Sequence, residues 1–313
     1  MRRLVFACAV VALALTSVAS AQQAPSAGLV IRVAMPPIDA ASQVYYAQSK
    51  GFFAKVGLTV QVMPINDGAS VAAAVAGGTA DIGQSNLSSL AAAFERGLPF
   101  VAIAGSNLYN AKTRQSELVV APGSTFRNAS DLNGKTIGVS GLKNVQEVAF
   151  NKWMDVSGGD WKSTHIVEVP FPAMADTVAA GRIDAVMMAE PELGTALATK
   201  KVKILSTPFE SIGEEFVLGT WFTTNAFAKA HPDVVKAFAQ AMSMAADWAN
   251  HNQTESGKIL EASTGVPLAS NAARVLFADK LEPREMQPLI DASAKYGGLK
   301  TTFPAAQLIA GVL

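Results

Sequence analysis

The sequence has 313 residues, of which 50% are hydrophobic and 16% are charged. Lysine and arginine together number 25, as do aspartate and glutamate, so the formal net charge is zero. A chain without a basic field is not expected to bind nucleic acid or an anionic membrane surface. Its length predicts two domains of ordinary size.

The first 21 residues have the pattern of a secretory signal peptide: two arginines, an apolar run over 4–15 and an Ala-Ser-Ala triplet that ends at Ala21. That run is too short to span a bilayer core of about 30 Å. We therefore predict cleavage after Ala21, a flexible leader over 22–27 and a periplasmic location. The only cysteine, Cys8, would be removed, so the mature chain would have neither a disulfide nor a thiol nucleophile.

Short apolar runs that alternate with helical patterns begin at Leu29 and begin again at Leu118. In the first half the predicted strands are 29–34, 58–63, 80–84 and 100–104, and the predicted helices are 41–50, 69–76 and 87–96. In the second half the predicted strands begin at Leu118 and continue with 136–139, 166–169, 184–188 and 201–205, and the predicted helices are 145–156 and 173–180. This alternation predicts an α/β fold of two lobes, each with a mostly parallel sheet flanked by helices.

A pseudo-repeat supports two related halves, because residues 75–83 align without gaps with residues 178–186. In both segments a helix closes on a glycine, and an aspartate, Asp81 or Asp184, precedes the next buried strand. Glycine permits the left-handed turn that follows a helix, and aspartate can bond to backbone in a tight connection. We predict a structural role for these residues.

The last third of the sequence contains an extended segment at 216–222, followed by helices that include a long amphipathic one at 233–250. Because no third strand–helix unit is visible, this tail is expected to pack back on the first lobe, with two crossings near 106–118 and 207–222. The predicted boundaries are 28–112 for the first part of lobe 1, 113–215 for lobe 2, and 216–313 for the return crossover and helical C-terminal part of lobe 1.

Five motifs in order carry a resemblance to a known family. They are AQSKGFF at 47–53, GLTV at 57–60, AGGTADIG at 76–83, DLNGKTIGV at 131–139 and AGRIDA at 180–185. Over residues 29–260 the chain resembles the nitrate/sulfonate/taurine-type solute-binding proteins of ABC importers, the NMT1 or SsuA/THI5-like group. The resemblance implies a type II-like periplasmic-binding-protein fold that closes on a small molecule, with an ABC permease and its cytoplasmic ATPase as partners. We expect a monomer without a cofactor.

Ligands of open α/β sheets bind beyond the carboxyl ends of the strands, where helix N-termini present free N–H groups. This rule, and the resemblance, select five loops. Their candidate ligand-binding residues are Ile38, Asp39 and Ala40; Gly68 and Ala69; Ser85 and Asn86; Ser140, Lys143, Asn144 and Val145; and Glu190. Alternatively, Ser85, Asn86 and Asn144 are ordinary helix caps. Tyr109 and Trp221 would add an aromatic wall or simply pack between the lobes.

Charge leaves the ligand class open. Lys143 is the one cation in these loops, whereas Asp39 and Glu190 are acidic. A desolvated anion normally needs a charged partner. A sulfonate, taurine, nitrate or aromatic carboxylate is therefore compatible with the loops, as is a neutral or zwitterionic solute, with a slight preference for an anion.

An enzyme is not predicted. The three histidines, His165, His231 and His251, have no metal-ligand spacing, and no nucleophile elbow or P-loop is present. Glu190 and Glu192 are too close in sequence to flank one bond. We expect neither catalytic residues nor a metal site. The alternatives are a pyrimidine-precursor binding protein or enzyme of the THI5-like branch, and a periplasmic ligand sensor.

Overall fold

A computed structural model describes residues 29–65, 68–113, 115–265, 267–268 and 274–313. The predicted signal peptide and leader lie outside these residues. In chain order the strands are β1 (Val30–Met35), β2 (Thr59–Pro64), β3 (Ile82–Asn86), β4 (Phe100–Gly105), β5 (Asn107–Asn110), β6 (Ser116–Val120), β7 (Thr136–Val139), β8 (His165–Glu168), β9 (Ala185–Ala189), β10 (Lys203–Ser206), β11 (Glu215–Val217), β12 (Gly219–Thr224) and β13 (Leu276–Phe277).

The α-helices are α1 (Gln43–Ser49), α2 (Phe52–Lys55), α3 (Gly68–Ala76), α4 (Leu87–Glu95), α5 (Val145–Val156), α6 (Phe171–Ala179), α7 (Glu192–Ala198), α8 (Asn225–Ala230), α9 (Pro232–His251), α10 (Gln253–Thr264) and α11 (Pro283–Tyr296). The predicted helices at 41–50, 69–76, 87–96, 145–156, 173–180 and 233–250 are present within a few residues of those bounds, whereas α2 and α7 were not predicted. Within the described ranges, no helix combines the length and the apolar character that crossing a membrane requires.

Two five-stranded sheets form the cores of two lobes, which confirms the α/β prediction. Lobe 1 contains the sheet ordered β2-β1-β3-β12-β4, and lobe 2 contains the sheet ordered β8-β7-β9-β6-β10. In each sheet four strands share one direction and the fifth, β12 or β6, runs antiparallel between two of them. This exception to the expected parallel order arises because β12 and β6 enter directly from the other lobe, without a helix that would reverse the chain.

The sequence repeat corresponds to equivalent units in the two lobes, α3–β3 and α6–β9. The carboxylate of Asp81 accepts a hydrogen bond of 2.8 Å from the backbone N–H of Arg32 on β1. Its counterpart Asp184 accepts one of 2.9 Å from the backbone N–H of Thr136 on β7. The two aspartates are therefore structural, as predicted. Each precedes a central strand and bonds to the backbone of the strand next to it in the sheet.

Two crossings of the chain form a small third sheet between the lobes. Strands β5 and β11 pair antiparallel, and β13 from the tail pairs with the other edge of β5. The first crossing leads from β4 through β5 into β6, and the second returns from β10 through β11 into β12. The lobes are thus joined by a hydrogen-bonded ribbon, which we call the hinge sheet.

The helical tail contacts both lobes. Helix α9 packs against α1 and β4 of lobe 1, whereas α11 packs against α4 of lobe 1 and α5 of lobe 2. The Oγ atoms of Ser88 on α4 and Ser293 on α11 are 2.9 Å apart. The Asn151 amide on α5 donates to the carbonyl of Tyr296 at 2.9 Å. A single apolar cluster consequently runs from lobe 1 through α11 into lobe 2.

Close packing at the centre of β3 gives a stability prediction. A methyl group added at Gly83 would lie 2.8 Å from the ring of Phe222 and from Val71 Cγ1. Gly83→Ala should lower the free energy of unfolding by about 1–3 kcal/mol, the usual penalty for overpacking a core. Gly123→Ala is the matched control, because its added methyl group has no neighbour within 4 Å. Equal urea midpoints for the two variants, monitored by circular dichroism, would contradict this packing.

Candidate functional site

Three predicted loops of lobe 1 meet at one edge of its sheet. The carbonyl of Ala40, in the loop after β1, accepts a 2.6 Å hydrogen bond from Ser106 Oγ. The side-chain amide of Gln84 on β3 donates to the same hydroxyl at 3.3 Å. A Cβ added at Gly68, where α3 begins, would lie 3.8 Å from Ser85 Oγ. Ser106 was not selected from the sequence, because nothing marks a lone serine between two strands.

The N-terminus of α4 lies beside the second crossing. Asn86 is its N-cap and accepts a 2.9 Å hydrogen bond from the N–H of Ser89. Asn86 pairs with Gly219 of β12, and the next pair is Ser85 with Thr220. Thr220 Oγ1 is buried and has no hydrogen-bond partner in the described part of the chain. This edge therefore combines neutral amide and hydroxyl groups with a helix N-terminus.

The loop after β7 forms the corresponding edge of lobe 2. Asn144 caps α5 by accepting from the N–H groups of Gln146 at 2.9 Å and Glu147 at 3.2 Å. It also donates a 2.9 Å hydrogen bond to Ser140 Oγ. Because the side-chain amide of Gln146 donates to the carbonyl of Met187 at 3.0 Å, the start of α5 is attached to the middle of β9. The capping interpretation of Asn86 and Asn144 is thus correct, whatever else these side chains do.

Lys143 lies just before this cap in a left-handed backbone conformation, with φ 58°. Its N–H donates to the carboxylate of Glu147 at 2.6 Å, and its side chain is exposed. Its ammonium makes no ion pair with any of the described residues. The backbone of Gly298, which follows α11, lies beside Lys143: a Cβ added there would be 3.2 Å from Lys143 Cβ. Val145, the first residue of α5, is buried. Lys143 is therefore a free cation where α11 meets lobe 2.

The loop after β9 carries two carboxylates. Glu190 is buried, and its Oε2 accepts from the N–H of Gly194 at 2.9 Å, while its own N–H donates to the carbonyl of Gln115 at 3.1 Å. It precedes a cis bond to Pro191. Burial raises the pKa of Glu192, in the first turn of α7. The carboxylate of Glu190 thus bonds to the start of α7, and that of Glu192 is partly buried beside it.

Both predicted aromatic residues belong to the core, so the proposed aromatic wall is wrong. Trp221 is 0% exposed, its Nε1 donates to Gln43 Oε1 at 2.8 Å, and its ring lies 5.6 Å from that of Phe238. Tyr109 is 1% exposed and its ring lies 5.1 Å from that of Phe216 in the hinge sheet. Neither ring reaches a surface where a ligand would touch it.

Asp39 also requires correction. Its carboxylate is 1% exposed and paired with Arg274, so it does not face the loops of lobe 2. Its neighbours Ile38 and Ala40 are half-buried. Ala69 lies in the first turn of α3. The backbone of the loop after β1, and not its acid, remains the candidate for ligand contact.

The two edges offer hydrogen-bond donors and acceptors suited to a small polar solute. Across the described ranges, no group of three histidine, cysteine, aspartate or glutamate side chains is placed to hold a metal ion. Helices α4 and α5, which begin at Asn86 and Asn144, contact each other although they belong to different lobes. We take the region between these two capped helix starts, called the cleft below, as the candidate site.

The sequence matches the model of the family described as NMT1/THI5 like over residues 40–256. It is 31% identical over 201 residues to the taurine-binding periplasmic protein of Escherichia coli (strain K12), covering 62% of this chain and 59% of that protein. It is 26% identical over 144 residues to the formylaminopyrimidine-binding protein of Halalkalibacterium halodurans, covering 46% of this chain and 42% of that protein. The chain thus matches about three fifths or less of the length of these relatives.

The fold is similar to that of the alkanesulfonate-binding protein SsuA from Xanthomonas axonopodis pv. citri bound to MOPS. The TM-score is 0.73 at 16% identity, and the alignment covers 92% of this chain and 99% of that chain. Likeness at this level of identity concerns the fold alone. The periplasmic-binding-protein architecture expected from the motifs is confirmed.

The burial of Glu192 gives a pH-dependent prediction. Because burial raises its pKa when the protein is folded, the fold loses stability as the pH rises from the ordinary glutamate value of 4.5 through the raised one. Glu192→Gln, which resembles the protonated acid, should raise the melting temperature at pH 7.5, and the gain should vanish as the pH falls to about 4. Glu168→Gln, at an exposed glutamate that ends β8, is the control. A gain at pH 7.5 that persists at pH 4 would contradict this explanation.

Proposed function

Since the chain belongs to the NMT1/THI5-like family, we propose that it is the periplasmic solute-binding component of an ABC importer. In this role it captures a small organic solute between lobe 1 and lobe 2 and delivers it to a membrane permease driven by a cytoplasmic ATPase. The observation that carries the proposal is the contact between α4 and α5, two helices from different lobes that are each capped by an asparagine at the N-terminus. A hinge sheet between the lobes supports closure on a ligand.

The names of the relatives support this role, because both describe binding proteins for small organic solutes. Nothing in the cleft favours catalysis: the capping amides hold backbone N–H groups, and the nearest buried acids are held by backbone or by arginine. We propose a monomer that is exported and cleaved after Ala21.

We further propose that the solute carries an acidic group and an amine, as taurine does. The N-termini of α4 and α5 carry partial positive charge, and the free ammonium of Lys143 adds a full one, which suits a sulfonate or carboxylate. The edge of lobe 2 near β9 carries the carboxylates of Glu190 and Glu192, which suit an amine. A zwitterion complements both edges better than nitrate or a simple anion does.

Calorimetric titration of the purified protein with taurine and 2-hydroxyethanesulfonate tests the proposal. The second compound keeps the sulfonate and replaces the amine by a hydroxyl group. We expect taurine to bind at least about tenfold more tightly, because a hydrogen bond to a charged group contributes about 1.5–3 kcal/mol. Equal affinities for the two compounds would show that the amine does not contribute to binding. Binding of a formylaminopyrimidine with no binding of taurine would assign the protein to the other named ligand class.

Exchanging the caps for acids separates ligand contact from helix capping. Aspartate caps a helix as well as asparagine does. Asn86→Asp and Asn144→Asp should therefore keep the melting temperature within a few degrees while each lowers the affinity for taurine at least about tenfold by repelling its sulfonate. Asn128→Asp, at the cap of the exposed 310 turn Ala129–Leu132, is the control and should bind normally. Unchanged affinity in both cleft variants would place the ligand elsewhere.

The charge of Lys143 is tested by Lys143→Met, measured at low and high salt. If the ammonium contacts the anionic group, the variant should bind more weakly than wild type, and its affinity should depend less on salt. Lys201→Met, an exposed lysine of lobe 2 paired with Asp176, controls for the loss of net charge. If Lys143→Met and Lys201→Met bind equally well at both salt concentrations, Lys143 does not contact the ligand.

A further inference from the structure

A buried ion pair lies directly behind the first loop of the cleft. The guanidinium of Arg274 donates to the carboxylate of Asp39 twice, from Nε at 2.9 Å and from Nη2 at 3.0 Å. The same carboxylate accepts from Ser42 Oγ at 3.2 Å, from the hydroxyl of Tyr46 at 3.4 Å and from the N–H of Val275 at 3.4 Å. Side-chain exposure is 1% for Asp39 and 12% for Arg274. The acid is therefore fully bonded inside the protein.

Asp39 and Arg274 are the charged members of this network. Burial, followed by the charge of Asp39, raises the pKa of the Tyr46 hydroxyl, which therefore stays protonated. The third nitrogen of Arg274 donates to the carbonyl of Gln253 at 3.2 Å. With all three nitrogens bonded within the protein, the guanidinium is not available to a ligand as a cation.

The pair is attached to the hinge as well as to the loop. The carbonyl of Ala40, next to Asp39, is held by Ser106 at the start of the first crossing. On the other side, Arg274 is followed by β13, whose two residues pair with Leu108 and Asn107 of β5. The loop at Asp39–Ala41 is thus held between two attachments, and the charges of the pair keep a fixed position relative to the cleft.

We propose that Arg274 is a positioning and specificity-determining residue of the ligand site. It holds the loop at Asp39–Ala41 in place and cancels the charge of Asp39, so that the cleft accepts an anionic group although an acid lies directly behind it. The inference rests on the proposed function. The inference predicts that removing Asp39 and removing Arg274 change the preference for an anionic ligand in opposite directions. Removing either side chain leaves the charge of the other uncompensated in a poorly screened position.

The test compares ethanesulfonate, which has a net negative charge, with taurine, which has none overall. The quantity measured is the ratio of their affinities. Arg274→Gln leaves the acid uncompensated and should lower the ratio of ethanesulfonate to taurine about threefold to tenfold, whereas Asp39→Asn should raise it by a similar factor. The double variant and Arg274→Lys should restore the wild-type ratio. Asp81→Asn, in another ion pair of lobe 1, controls for net charge and should leave the ratio unchanged.

A purely structural role would weaken binding of both probes by the same factor in every variant, and that result would overturn the inference while the proposed function stands. If the single variants do not fold, the double variant and Arg274→Lys decide, because neither leaves an isolated buried charge; a ratio that departs from wild type in either contradicts the proposal. Should wild-type protein bind neither sulfonate, the proposed ligand class fails and the inference fails with it.

Discussion

The architecture depends on one constraint: each lobe completes its sheet with a strand that arrives directly from the other lobe. Strand β12 lies between β3 and β4, and β6 lies between β9 and β10. Because both inserted strands occupy interior positions, removing either would leave unpaired edges inside a sheet and expose apolar residues on both faces. The two lobes are therefore interdependent in folding, although each resembles a complete α/β unit.

The cleft follows from this arrangement, since the inserted strands bring the crossings to the carboxyl ends of the central strands. Its polar groups are largely neutral. Asparagine caps and serine hydroxyls lie at the starts of α4 and α5, while the acids nearest to them are bonded to arginine or to backbone. On the proposed function, such a site would recognise a charged group through fixed dipoles, which need no reorganisation when the ligand arrives.

Local pattern was sufficient to predict most of the strands and helices of the two lobes, because hydrophobic periodicity depends on neighbours in sequence, but β5, α2 and α7 were not predicted. The other failures concern long-range partners. Trp221 and Phe222 are adjacent, yet they face opposite sides of β12, toward Phe238 and Phe100 respectively, and alternation alone does not show that both sides are buried. The partner of Asp39 lies 235 positions away, so the sequence offered no sign that this acid is neutralised.

The tail strand β13 has a mechanical consequence. A two-stranded ribbon twists easily, but β5 is flanked by β11 and β13, and the segment that carries β13 is bonded to the loop of lobe 1 through Arg274. We therefore expect β5 to move with lobe 1 when the lobes rotate. Rotation between the lobes has to be absorbed in the short connections from β5 to β6 and from β10 to β11, which places the pivot on the lobe 2 side of the ribbon and away from the ligand loops of lobe 1.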